Sequence, residues 1–202
     1  MLDQPKPRKS LEHQKTDELE RPTGNGDAEL KRRILQFGGG IYRSQDLTCA
    51  EMFDDADVSN LQFLSCTLNG TSFFKCKMNN AKFTGSMIAF ASLLQVTGTN
   101  TVFDKVHATG TSFCACVLID ATFDYASLCD ADFSGSNLQG ASFRGAVLHG
   151  AAFVGANLLN ACFDDATLTS CVFRGARMPN GRLYSEHRSL KSQLVGPRGK
   201  AA

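Results

Sequence analysis

The sequence predicts an all-β solenoid, a chain wound into stacked square coils with four short sides to each turn. Three observations carry this. A bulky apolar residue recurs at every fifth position, as in Phe143, Leu148, Phe153, Leu158 and Phe163, a period shared by neither a helix nor a flat strand. Phe alternates with an aliphatic residue at most of these positions, with Phe53, Phe63, Phe73 and Phe83 early and Phe103 to Phe173 every ten residues later. Asn60, Asn80, Asn100, Asp120, Asn160 and Asn180 form a lane of period twenty interrupted only by Gly140, and Asn side chains ladder when they recur at one corner of stacked strands. The alternation requires an even number of sides, and the lane sets four sides of five residues.

The unit explains itself locally. With the bulky residue as centre i, position i−2 is small (Ala121, Ala126, Ala131, Ser136, Ala141) and position i+2 favours Gly or Asn. In an extended segment i−2 and i point to the same side, here inward, while i−1 and i+1 point outward. Gly and Asn at i+2 suit a corner because they adopt left-handed backbone angles at little cost. The register runs from Phe53 to Leu183, about 27 units or nearly seven coils. Ala50 and Met52 lie one residue out of phase, which places a single insertion near Phe53–Asp55. Gly98 and Ala108 occupy centres with Val96 and Val106 at i−2, predicting a local bend or a side chain shifted in from a neighbouring coil. Burying each filled centre contributes roughly 1.5–3 kcal/mol, enough in sum for a core without cofactor or disulfide.

The stretches "ADFSG" (131–135), "SNLQG" (136–140), "ANLLN" (156–160) and "ATFDY" (121–125) resemble the pentapeptide-repeat family, with its A-(D/N)-L-X-X consensus. The resemblance implies a right-handed quadrilateral β-helix, and the handedness comes from it alone.

Flanking segments differ. Residues 1–26 are polar, carry Pro and lack periodicity, predicting a disordered tail. Within 27–40, Leu30, Ile34 and Phe37 fall at helical spacing ahead of Gly38-Gly39-Gly40, predicting a short capping helix and a Gly linker before a repeat domain over 41–183. Residues 184–202 are expected to form a C-terminal cap helix and a flexible tail, with Leu183, Leu190 and Leu194 as its apolar positions. Such caps cover the open core and unpaired backbone of a β-helix end.

Composition narrows the function. The 21 Lys+Arg balance 20 Asp+Glu, so no bulk charge points to direct nucleic-acid or membrane binding. No secretory or membrane-spanning apolar run is evident, and the eight cysteines read as reduced thiols in a cytoplasmic protein. Asn69-Gly70-Thr71 matches a glycosylation sequon, taken as chance. Cys66, Cys76, Cys116 and Cys171 sit at the inward i−2 position as substitutes for Ala. Cys129, His149 and His107 share an outward face but lack a fourth ligand, so no metal is expected. A solenoid filled by its own side chains offers no catalytic cleft, so neither catalysis nor a cofactor is expected.

Two outward lanes are candidates for partner binding. Phe74, Leu94 and Val154, with Cys114, form an apolar column at i+1, broken by Ser134. Asp104, Asp124 and Asp164, with Arg144 among them, form a mostly acidic one. The expected function is a non-enzymatic scaffold that presents flat β faces to an unidentified protein partner, or to itself as a homodimer. The family resemblance supplies two alternatives: a DNA mimic that binds a type II topoisomerase such as gyrase and confers fluoroquinolone resistance, and a secreted bacterial effector. Mimicry needs a strongly acidic surface, whereas residues 51–183 hold eleven acidic against eight basic residues, with Lys75, Lys77 and Lys82 forming a basic region.

Overall fold

In the computed structural model, residues 40–48 and 53–196 are described. The chain forms a quadrilateral β-helix. Backbone bridges join each side to the side twenty residues on, from Asp57↔Lys77 to Asn157↔Arg177, all parallel. Strands long enough to name are β1 (Ile41–Arg43) and β2 (Gln62–Leu64). Sides are numbered from one to four, with centres at Phe53, Val58, Phe63 and Leu68 in the first full coil.

The corner chemistry is uniform. Every i+2 residue from Asp55 to Gly175 has positive φ, including Phe90 (55°), Gln95 (57°), Ala115 (53°) and Tyr125 (59°). At most corners the centre's carbonyl accepts a hydrogen bond from the N–H three residues on, as in Ala126 N–H to Phe123 at 3.2 Å, the geometry of a type II turn. A side chain there costs roughly 1–2 kcal/mol, which the coil-to-coil ladder offsets. At two corners the turn bond is replaced. The Ser86 hydroxyl accepts from the Cys66 N–H at 3.0 Å and donates to the Phe63 carbonyl at 2.9 Å. Ser136 bridges Cys116 and Phe113 in the same way. Other hydroxyls at the small inward position also find carbonyls, Thr101 to Met78 at 2.9 Å and Thr111 to Ile88 at 2.6 Å, so these buried polar groups carry no desolvation penalty.

The core is two columns of stacked rings. On side one Phe113, Phe133, Phe153 and Phe173 stack, with Phe113 and Phe133 at 4.8 Å and 4°. On side three Phe63, Phe83, Phe103, Phe123, Phe143 and Phe163 do the same. The columns meet edge to face along the axis, as in Phe123–Phe133 at 5.4 Å and 88°, the arrangement the ring quadrupole favours. Aliphatic side chains fill sides two and four.

Two expectations need correction. The extra residue lies before Phe53: β1 pairs with β2 at an offset of 21 (Ile41↔Gln62), whereas Phe53 already stacks on Phe73 at 4.8 Å. The repeat register ends at Met178, because Pro179 begins a reversal in which Arg177 pairs antiparallel with Leu183 and Gly181 takes the positive φ. Leu183 is therefore no centre but 70% exposed, and Tyr184 covers the last ring, 5.7 Å from Phe173. At the weak centre Gly98 one of the two expected outcomes is seen, the space being taken by side chains that include Met78 of the neighbouring coil. A Cβ on Gly98 would collide with the Thr101 hydroxyl and lie 2.8 Å from Met78 Cγ. The predicted helix at 27–37 and the tails fall outside the described residues.

Towards the C-terminal end of the described residues a short helix, α1 (Leu190–Leu194), packs on the solenoid. Ser189 caps it, and the buried Gln193 amide bonds both the N–H and the C=O of Ser185. Leu190 and Leu194 pack against the core.

Candidate interaction surface

The predicted apolar lane lies where the register puts it, on side one, yet Phe74, Leu94 and Val154 are each only half exposed. Lys75 sits 4.7 Å over the Phe74 ring, a cation–π contact that further covers it.

The acidic lane is occupied in a different way. The coil-to-coil ladder leaves i+1 N–H groups unpaired, and in this lane carboxylates in the coil beneath take two of them. Asp104 accepts from the Asp124 N–H at 3.1 Å, and Asp124 accepts from the Arg144 N–H at 3.1 Å and from the Ser142 hydroxyl. Asp54 does the same for Phe74 at 2.9 Å. Only Asp164, in the top coil, has no such bond and is exposed.

What sequence reasoning missed is side four. Its outward residues, in 66–70, 86–90, 106–110, 126–130, 146–150 and 166–170, include no Lys or Arg and one carboxylate, Asp130. Met87 and Val147 stand exposed on this face, and its two flanking corners carry Phe90, 73% exposed, and Tyr125, 62% exposed. Each corner ring lies over the glycine of the next coil, since a Cβ would meet Phe90 at 2.7 Å from Gly110 and Tyr125 at 2.7 Å from Gly145. The available signal was an aromatic residue at a corner position followed by Gly twenty residues later.

The remaining candidates have structural roles. The Cys66, Cys76 and Cys116 thiols donate to the carbonyls of Tyr42, Phe53 and Leu93. Burial pushes the Cys76 and Cys116 thiols up to about 12 and Cys171 to about 11, so none is a ready nucleophile. Among the described residues, no group of three or more His, Cys, Asp or Glu is placed to hold a metal, the Cys129, His149 and His107 set included. The sequon is closed: Thr71 is buried and its hydroxyl donates to the Leu47 carbonyl at 2.8 Å.

Coils of twenty residues, small-and-bulky inward pairs and a left-handed corner every fifth residue define the class, a β-solenoid built of five-residue units. The family model for pentapeptide repeats matches residues 99–135 and 131–169, eight copies in all, and the chain belongs to the pentapeptide-repeat family. Three solved structures are similar to it. QnrB1, a plasmid-mediated fluoroquinolone resistance protein, is 14% identical, covering 68% of this chain and 92% of its own, with a TM-score of 0.36. The pentapeptide-repeat protein Rfr23 of the cyanobacterium Cyanothece 51142 is 18% identical over 74% of this chain and 92% of its own, with a TM-score of 0.32. A pentapeptide-repeat protein of the Arabidopsis thaliana thylakoid lumen is 25% identical over 65% of this chain and 77% of its own, with a TM-score of 0.30. No curated protein sequence matches.

Proposed function

We propose that the protein is a non-enzymatic scaffold that binds a protein partner through side four. The observation that carries this is the coincidence on one flat face of exposed Met87, Phe90, Tyr125 and Val147 with few charges, Asp130 and, on the corner shared with Tyr125, Lys105 and Asp165. Exposed apolar side chains gathered on one face of a rigid scaffold can mark an interaction site, and aromatic anchors supply much of the binding energy in such sites. A partner held there meets a surface that needs no reorganisation, because every coil is pinned by the ones above and below.

The test is a paired capture experiment. Met87→Lys with Val147→Lys places two charges on side four, and Leu94→Lys places one on side one. A stoichiometric partner retained by the unchanged chain and by Leu94→Lys, but lost from the double variant, is expected. Equal retention by all three sinks the reading. Topoisomerase mimicry draws less support, because Arg144 interrupts the lane and residues 51–183 hold eleven acidic against eight basic residues. A gyrase supercoiling assay decides it: inhibition relieved by Asp104→Asn with Asp124→Asn would favour mimicry over side four.

A further inference from the structure

Side four has two unlike edges. On the corner it shares with side three stand Lys105 and, one coil above, Tyr125; on the corner it shares with side one stand Phe90 and, two coils above, Asp130. All four are exposed and have positive φ. Three of them reach up the solenoid to the next coil. The Phe90 ring lies against Gly110, the Tyr125 ring lies against Gly145, and the Asp130 carboxylate takes the space that a Cβ on Gly150 would need. Lys105 and Gly110 flank one strand of side four, as Gly145 and Gly150 flank another. The Phe90 ring is therefore level with Lys105, and the Tyr125 ring is level with the Asp130 carboxylate. Within one chain, each of these pairs is separated by the breadth of side four.

The two rows between the edges also differ. The bridged row Met87, His107, Ser127 and Val147 lies nearer side three, and the row Ala89, Thr109, Cys129 and His149 lies nearer side one. A two-fold axis parallel to the solenoid and in the plane of this face turns a second copy so that each row meets the other at equal height. Met87 then faces the small Ala89, and Ser127 faces Cys129. Lys105 comes against the Phe90 ring, a cation–π contact. The Tyr125 hydroxyl comes against the Asp130 carboxylate, a charge-assisted hydrogen bond. The axis makes each contact twice. Turning the second copy end for end sets like edge against like, and then Phe90 loses Lys105 and Asp130 loses Tyr125.

We propose that the partner of side four is a second copy of this chain, docked face to face with the two solenoids parallel. The inference rests on the reading of side four as an interaction face and supplies its occupant. Six coils at ~4.8 Å and a breadth of five extended residues give no more than roughly 450 Å² on each copy. That is below the ~800 Å² per partner of a standard interface, so the dimer is weak and reversible, with a Kd on the order of 10–100 μM.

Sedimentation equilibrium of the full chain between about 5 and 300 μM tests this, with a weight-average mass rising from one chain toward two expected. Phe90→Asn introduces a residue at home in the corner conformation and should weaken association about tenfold. Lys105→Gln should weaken it about threefold, and Gln95 already holds that conformation. Tyr125→Phe should weaken it about threefold in the unchanged chain and not at all in Asp130→Asn, a coupling that opposite edges of one chain do not produce by themselves. Cross-linking reads the direction. Ser127→Cys with Cys129→Ser, oxidised together with the unchanged chain, should join position 127 of one copy to position 129 of the other. A link from position 127 to position 127, or independent effects of Tyr125→Phe and Asp130→Asn, overturns the proposal. A chain that stays monomeric at about 300 μM overturns it too, and leaves side four to a different partner if capture is still lost with Met87→Lys and Val147→Lys. Dimers that withstand that double variant would sink both readings.

Discussion

Two stretches of the solenoid obey the same backbone with different cores. Between Phe113 and Phe173 every side-one and side-three centre is Phe and nearly every i−2 residue is Ala, Ser or Cys. Between Leu93 and Ala108 a Phe column is broken by Leu93 and two aliphatic centres shrink to Gly98 and Ala108. The ladder does not register the change: Gly98 N–H reaches Val117 C=O and Ala108 N–H reaches Ser127 C=O at 2.8 Å, against 2.7 Å for Phe113 N–H to Asp132 C=O. Volume has instead been moved to buried Val96 and Val106 in the same units and, at Gly98, to Thr101 of the next unit and Met78 of the coil below. Register is thus held by turns and main-chain bonds, and the core needs only its total volume filled, with freedom over which position fills it.

The largest effect should come from the regular stretch. Phe133→Ala removes a ring stacked on two faces and met at its edge by two more, and thermal denaturation is expected to record a loss of about 3–5 kcal/mol. A loss under about 1 kcal/mol would mean that the columns do not hold the core. In the irregular stretch, restoring the family's preferred residue should do harm. Gly98→Leu drives a side chain into Thr101 and Met78 and is expected to cost about 1–3 kcal/mol. Adding Thr101→Ala should return part of it, and no recovery would show that the exchange of volume is not local. The smallest effect separates two corners. A methyl group added at Gly135 would meet nothing within 4 Å, whereas at Gly145 it would stand 2.7 Å from the Tyr125 ring, and both corners have positive φ. Gly135→Ala should cost about 1 kcal/mol from backbone strain alone, and Gly145→Ala about 1 kcal/mol more. Tyr125→Ala should erase that difference.

The fold was legible because the signals that make it are strictly local and repeat. A small-and-bulky pair, a corner residue and a period of twenty give the coil, the column and the side. Less of the surface was legible, because exposure depends on what the adjacent coil does. Phe74 and Leu94 point outward but are only half exposed, while Phe90 and Tyr125, at corners usually given to Gly or Asn, protrude. Asp104 and Asp124 read as a charged stripe in sequence, and each also has a structural role, accepting a backbone N–H twenty residues on. Gly140, the break in the Asn lane, has the same origin: the Asp120 carboxylate occupies the space its side chain would need. The end of the register was misplaced because Leu183 keeps the period of five after Pro179 has turned the chain back.

The interlock of coils also fixes how such a molecule can change length. Removing five residues from the middle would rotate everything above by a quarter turn and set Phe columns against aliphatic ones. Removing ten would restore Phe over Phe but carry side four, with Phe90 and Val147, onto opposite walls. Only a loss or gain of twenty leaves each column, corner pair and face continuous. The one departure from twenty, an offset of 21 at Asp46↔Thr67 against 20 at Asp57↔Lys77, falls at the first described coil. Away from its ends, this chain can lengthen by duplication only in whole turns.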